Sequence, residues 1–214
     1  MQTYCERCGP GLFDEPLNAA SNAAFLIAAF AAWWVASRRG VLSPGLWALI
    51  VLAASVGIGS ALWHTFATDW AMVLDIVPIM LFQFTFLWLY GRHAAGLSRL
   101  TVGVVLAAYI AIGFWLTKYD WLNGSIVYAP AVVLAWVVGL HHARSHRPWR
   151  FALLASAGVF CVALVCRSID LVVCRQLPIG THFLWHLLNG VVVYLAMRVV
   201  IEVWAEEWAV SNHK

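Results

Sequence analysis

The chain has 214 residues, 63% of them hydrophobic and only 11% charged, with a mean hydropathy of +0.82. Soluble domains carry about 25% charged residues, so a water-soluble core is excluded and a polytopic membrane protein is expected. The formal charge of +3 is modest and its basic residues are scattered through short links, which excludes the basic face that nucleic-acid binding requires.

In chain order, the opening Met1 to Pro16 is polar, with Glu6, Arg7, Asp14 and Glu15, and does not read as a secretory signal. A helix crossing the bilayer needs about 20 apolar residues. Windows of that kind fall at 18–37, 44–63, 70–90, 100–117, 124–141, 151–172 and 182–204. The sequence therefore predicts an all-α membrane protein, a seven-transmembrane helix bundle forming one domain over 1–214. Residues 1–17 are then an N-terminal segment and 205–214 a tail. Pro44, Pro148 and Pro178 sit at span edges, whereas Pro78 and Pro130 fall inside spans, where neighbouring helices can satisfy the freed carbonyls. No internal repeat or low-complexity tract stands out.

The Lys and Arg residues of the links set an expected orientation. Arg38 and Arg39 follow the first span, Arg92 and Arg99 the third, and Arg144, Arg147 and Arg150 the fifth. The opposite face has only Arg7, Lys118 and Arg175 in its loops. The N-terminus is expected outside and the tail, with Lys214, in the cytoplasm. Cys5, Cys8 and Cys174 then share the outer face, where disulfides persist. A Cys5–Cys174 bridge would tie the N-terminal segment to the link before the seventh span. The alternatives are a Cys5–Cys8 bridge or free thiols; a zinc knuckle lacks a second Cys pair. Cys161 and Cys166 lie inside the sixth span as small core residues.

Several polar residues interrupt the spans. Ser60 and His64 are four apart and share one helix face near the end of the second span. Asp75 opens the third span, and His182 and His186, also four apart, open the seventh. With the alternation of spans, these five residues from three helices reach one depth, towards the outer side. An ionisable residue in a span is a functional-site hypothesis by default. Three histidines from two helices suit zinc, with the fourth position left for water. His93, His141, His142, His146 and His213 read as loop residues of the other face, and Arg167 and Asp170 as a structural pair. Trp63, Trp70 and Trp121 fall at expected interfaces, where amphipathic rings anchor.

These residues resemble the alkaline ceramidase family, within the membrane hydrolase superfamily that includes the adiponectin receptors. The family pattern is Ser-x-x-x-His closing one helix, an Asp in the next, and His-x-x-x-His opening the last. Here it reads Ser60-Ala-Leu-Trp-His64, then Val73-Leu74-Asp75 followed by Pro78, then His182-Phe-Leu-Trp-His186. "YCE", "EPLNAASN" (Glu15 to Asn22) and "RSIDLVVC" (Arg167 to Cys174) look like further family segments, the last including the Cys that pairs with the N-terminal one. The resemblance implies ceramide, an N-acyl sphingoid base, as a substrate taken from the bilayer. It also implies a calcium site near the N-terminus, for which Tyr4, Glu6 and Glu15 match. The acidic position holds Thr3 and the Asn position Cys8, whose thiol supplies none of the oxygens that calcium prefers; the Cys8 carbonyl or Asp14 would have to stand in.

The expected chemistry is zinc-assisted amide hydrolysis, with zinc on His64, His182 and His186 activating water, Asp75 moving the proton and Ser60 donating to the oxyanion. Asp75 is also a candidate partner for a ligand histidine N–H. A serine triad of Ser60, His64 and Asp75 would leave His182 and His186 unexplained. The competing functions are a receptor of the adiponectin-receptor type, which has the opposite orientation, and a proton or solute transporter using Asp75 and His64 as a relay.

Overall fold

The structure, a computed structural model, describes residues 4–9 and 11–212. Its helices are α1 (Pro16–Ser21), α2 (Ala23–Arg39), α3 (Pro44–Phe66), α4 (Asp69–Leu89), α5 (Arg99–Leu116), α6 (Ala129–Arg144), α7 (Ala152–Val173) and α8 (His182–Asn212). Among the described residues there is no strand. Seven helical stretches are long and apolar enough to cross a membrane: Pro16–Arg39, Pro44–Phe66, Asp69–Ala94, Arg99–Leu116, Ser125–Arg144, Ala152–Val173 and His182–Trp208. The chain is thus a multi-pass membrane protein, and the seven expected spans are found.

Local chemistry sets the helix ends. Ser43 caps α3 by accepting from the Leu46 N–H, with Pro44 in the first turn, and Ser98 caps α5 through the Thr101 N–H. The third span ends in a π-helical turn over Tyr90–Ala94, and the fifth begins with a 3₁₀ turn over Ser125–Tyr128. Pro130 therefore lies in the first turn of α6 and breaks no hydrogen bond there, whereas Pro78 is inside α4.

The last helix is the axis of the bundle, with 61% of its membrane-crossing window buried against only 6% for the third span. Helices α2, α3 and α7 pack against α8, and α4 packs against α3. The main core is built from small and aliphatic residues of α2, α3 and α8, among them Ala32, Ala36, Leu46, Leu49, Ala53, Met197 and Ile201. The apolar faces of α4 and α5, such as Val73, Ile76, Leu100 and Val104, stay exposed. That is the arrangement of a bundle whose outer helices meet lipid, where apolar exposure carries no penalty.

Two expectations change at the arginine-rich end. The segment expected as a tail continues α8 to Asn212, and residues 213 and 214, with His213 and Lys214, lie outside the described residues. The helix continues because its acids have partners: Glu202 meets Arg39 at 2.8 Å and also Arg198, Glu206 meets Arg147 at 3.0 Å, and Glu207 meets His93 at 3.3 Å. His141 and His142 are likewise helical. His142 is fully buried in the last turn of α6 against Tyr90, and the Tyr90 hydroxyl bonds His141 Nδ1 at 2.8 Å.

Candidate metal centre

His64 sits one turn before the end of α3, and His182 and His186 form the first turn of α8. All three are buried, at 1%, 2% and 2% exposure. One nitrogen from each lies within 4.8 Å of the others, and among the described residues this is the group of three His, Cys, Asp or Glu side chains able to hold a metal ion. The convergence expected from the 60/64 and 182/186 spacing is therefore found.

The imidazoles are oriented from outside. His64 Nδ1 is 2.5 Å from Glu15 Oε2, and Ser21 Oγ is 2.8 Å from His186 Nδ1. With Nδ1 engaged, each ring is left with Nε2 for a ligand, which is how outer partners fix a metal-binding imidazole. The ring of His182 stacks on Tyr4 at 3.9 Å, and its Nδ1 is buried without a hydrogen-bond partner. Asp75 Oδ1 is buried and unpartnered in the same way. Buried polar atoms are nearly always satisfied, so two orphans beside three imidazoles fit a site that takes a metal and a polar ligand.

Ser60 and Asp75 meet because two helices nearly touch. Ser60 is buried and is a hydrogen-bonding neighbour of the Asp75 carboxyl. A Cβ on the preceding residue, Gly59, would lie 1.9 Å from the Leu74 carbonyl oxygen. Only glycine lets the α3 backbone approach α4 so closely.

The N-terminal segment is folded over the histidines. A Cys5–Cys174 disulfide pins it to the end of α7. Asp170 accepts from the N–H groups of Cys5 (2.9 Å), Thr181 (2.6 Å) and His182 (2.9 Å), so this buried carboxylate organises the disulfide and the start of α8 together. Gly180, at φ +66°, is needed there, because a Cβ would meet Asp170 Oδ1 at 2.1 Å. Asp170 has no pairing with Arg167, contrary to expectation; the guanidinium instead donates to the Asn123 carbonyl and the Ser125 hydroxyl. Burial pushes the Tyr4 phenol up from its ordinary pKa.

Among the described residues, the carboxylates expected for calcium are each engaged by protein groups. Glu6 accepts from the N–H groups of Leu17 (2.7 Å) and Asn18 (2.8 Å), capping α1. Asp14 accepts from the Gly11 N–H at 2.9 Å. Glu15 is shared by Arg7, Asn18 and His64. Burial raises the Glu15 carboxyl, but the bonds from His64, Asn18 and Arg7 outweigh it and hold its pKa below the ordinary 4.5. Thr3 lies outside the described residues. The cation that meets Glu15 is the guanidinium of Arg7, which also donates to the His64 carbonyl at 2.9 Å. A buried arginine has no periodicity to announce it, and it was missed in the sequence for that reason.

A largely apolar cavity lies inside the bundle, lined among others by Phe82, Tyr128, Phe160 and Val193. Its wall includes Val56, one turn from Ser60, Ile79, one turn from Asp75, and Trp185 and Asn189 beside His186. The cavity wall thus lies within one helical turn of Ser60, Asp75 and His186. Neither a family model nor a curated protein matches this chain, and the geometry of the site carries the functional reading.

Proposed function

We propose that the protein is a zinc-dependent intramembrane amidase that cleaves ceramide-like N-acyl lipids into a fatty acid and an amine, as its resemblance to alkaline ceramidases implies. The observation that supports this reading is the buried His64–His182–His186 triad, flanked by Ser60 and Asp75, within one helical turn of the wall of an apolar cavity. Three imidazoles suit zinc, whose catalytic sites use three protein ligands and keep one position open. Bound there, zinc supplies Lewis acidity and a lowered pKa for water.

The protein's own residues do the rest. Glu15 and Ser21 fix the rings of His64 and His186 through Nδ1. Asp75, with Oδ1 unengaged, accepts the proton of the attacking water and passes it to the leaving amine. Ser60 donates to the carbonyl oxygen as negative charge develops on it. The apolar cavity holds the hydrocarbon and keeps bulk water from the reacting amide.

Elemental analysis of the detergent-purified protein is expected to give one zinc per chain, lost in a His64→Ala/His182→Ala/His186→Ala variant. Asp75→Asn is expected to keep the metal and to lose about 10²–10⁴-fold in ceramide hydrolysis. Ser60→Ala is expected to slow turnover about 10²–10³-fold with the metal retained. Zinc undiminished in the triple variant, or an acyl group found on Ser60 by mass spectrometry, would overturn the proposal.

A further inference from the structure

Arg167 lies on α7, half-buried, about two turns before the disulfide end of that helix. Its Nη1 donates to the Asn123 carbonyl at 3.1 Å and the Ser125 hydroxyl at 2.6 Å. The guanidinium carbon stands 5.2 Å from the ring centre of Tyr128 and 6.0 Å from that of Trp185. All of these holders are neutral. Among the described residues no carboxylate comes within ion-pairing distance of it. The nearest acid in sequence, Asp170, is taken up by three backbone N–H groups.

A cation without a counter-ion in a membrane-crossing helix is costly and marks a site. The neutral holders fix the direction of this guanidinium without cancelling its charge. Trp185 immediately precedes His186, so the guanidinium stands beside the start of α8, which carries two of the three histidines. Tyr128 and Trp185, the rings beside it, line the apolar cavity. A hydrocarbon chain lying in the cavity therefore brings its polar end between Arg167 and the histidines. Glu15 is already matched by Arg7. Among the described residues Arg167 has no such match. The ligand that completes this balance is an anion on a long apolar chain.

We propose that Arg167 is the subsite for the carboxylate of a long-chain fatty acid, the acyl product of the amidase reaction. The fatty acid is a product only if the amidase reading holds, but its binding needs no turnover and is measured separately. A planar guanidinium with free N–H donors suits a carboxylate better than a hydroxyl of the same chain. The free acid then acts as a competitive product inhibitor, and the matching alcohol does not.

The test is equilibrium binding of palmitate and of hexadecanol to the detergent-purified full chain, with zinc bound and with the metal removed. In the metal-free protein the carboxylate meets Arg167 without help from an ion. There palmitate is expected to bind about ten- to hundredfold more tightly than hexadecanol. Arg167→Gln is expected to abolish that preference and leave hexadecanol unchanged, and Arg167→Lys to keep part of it. If Arg167→Gln does not fold, Ser125→Ala, which removes the shorter of the two hydrogen bonds that hold Nη1, is expected to weaken palmitate alone. No preference in the unmodified protein, or a preference that survives Arg167→Gln, overturns the assignment, as does equal weakening of both ligands in Ser125→Ala. Ceramide turnover is scored independently. Palmitate preference without turnover removes the amidase reading and leaves the subsite, while turnover without preference does the reverse.

Discussion

Arg7 donates from Nε to Glu15, from Nη2 to the His64 carbonyl at 2.9 Å, and from Nη1 to the Gly9 carbonyl at 3.5 Å. It thereby neutralises the carboxylate that orients His64. Both partners are buried, at 9% and 2% exposure. Removing one member of such a pair strands the other and costs about 3–5 kcal/mol, whereas removing both costs much less. Arg7→Met is thus expected to lower the thermal stability of the purified protein, and Arg7→Met/Glu15→Gln to recover most of the loss. Added calcium or a calcium chelator is expected to leave the melting temperature of the unmodified protein unchanged; a shift of several degrees would restore a calcium site. At this scale the sequence disclosed the residues with helical spacing. Ser60 with His64, and His182 with His186, each mark one face of a helix. Arg7 sits in an irregular segment, and its partners are far apart in the chain. The spacing of Arg167 and Asp170 suggested a pair, but backbone N–H groups competed for the carboxylate and won.

At the scale of the helices, the proposed pairing of Ser60 with Asp75 depends on how α3 meets α4. Gly59 stands against the Leu74 carbonyl, where a Cβ would come within 1.9 Å. The clash is with backbone, so no rotamer change relieves it. Gly59→Ala is expected to push the helices apart, to destabilise by at least about 1–3 kcal/mol, and to cut turnover by separating Ser60 from Asp75. Gly103→Ala is the control. A Cβ there meets nothing within 4 Å, and an exposed helical glycine gains up to about 1 kcal/mol on becoming alanine. Equal melting temperatures for the two variants would refute the close approach. All seven spans are legible in the sequence because each is a long apolar run. Their ends are less so, because caps and ion pairs set them. The extension of α8 beyond 204 was hidden, since Glu206 and Glu207 read as a solvated tail until Arg147 and His93 are placed opposite them.

At the scale of the whole molecule, the bundle has two chemically different ends. One holds the disulfide, the histidines and the folded N-terminal segment; the other gathers Arg38, Arg39, Arg92, Arg144, Arg147 and Arg150. Arginine-rich links are retained in the cytoplasm, and disulfides persist on the opposite, oxidising side. Both rules give the same orientation, and they depend on different residues. The free thiols supply a test. Cys8 is exposed at the histidine end, whereas Cys161 and Cys166 lie partly covered inside a membrane-crossing helix. A membrane-impermeant maleimide is therefore expected to label Cys8 in intact cells and to lose that label in Cys8→Ala. Arg150→Cys, placed at the other end in the Cys8→Ala background, is expected to react only after the membrane is opened. The reversed pattern would put the disulfide in the reducing compartment and turn the metal centre towards the cytoplasm. With the expected pattern, the fatty acid and amine of the proposed reaction would emerge in the outer half of the bilayer.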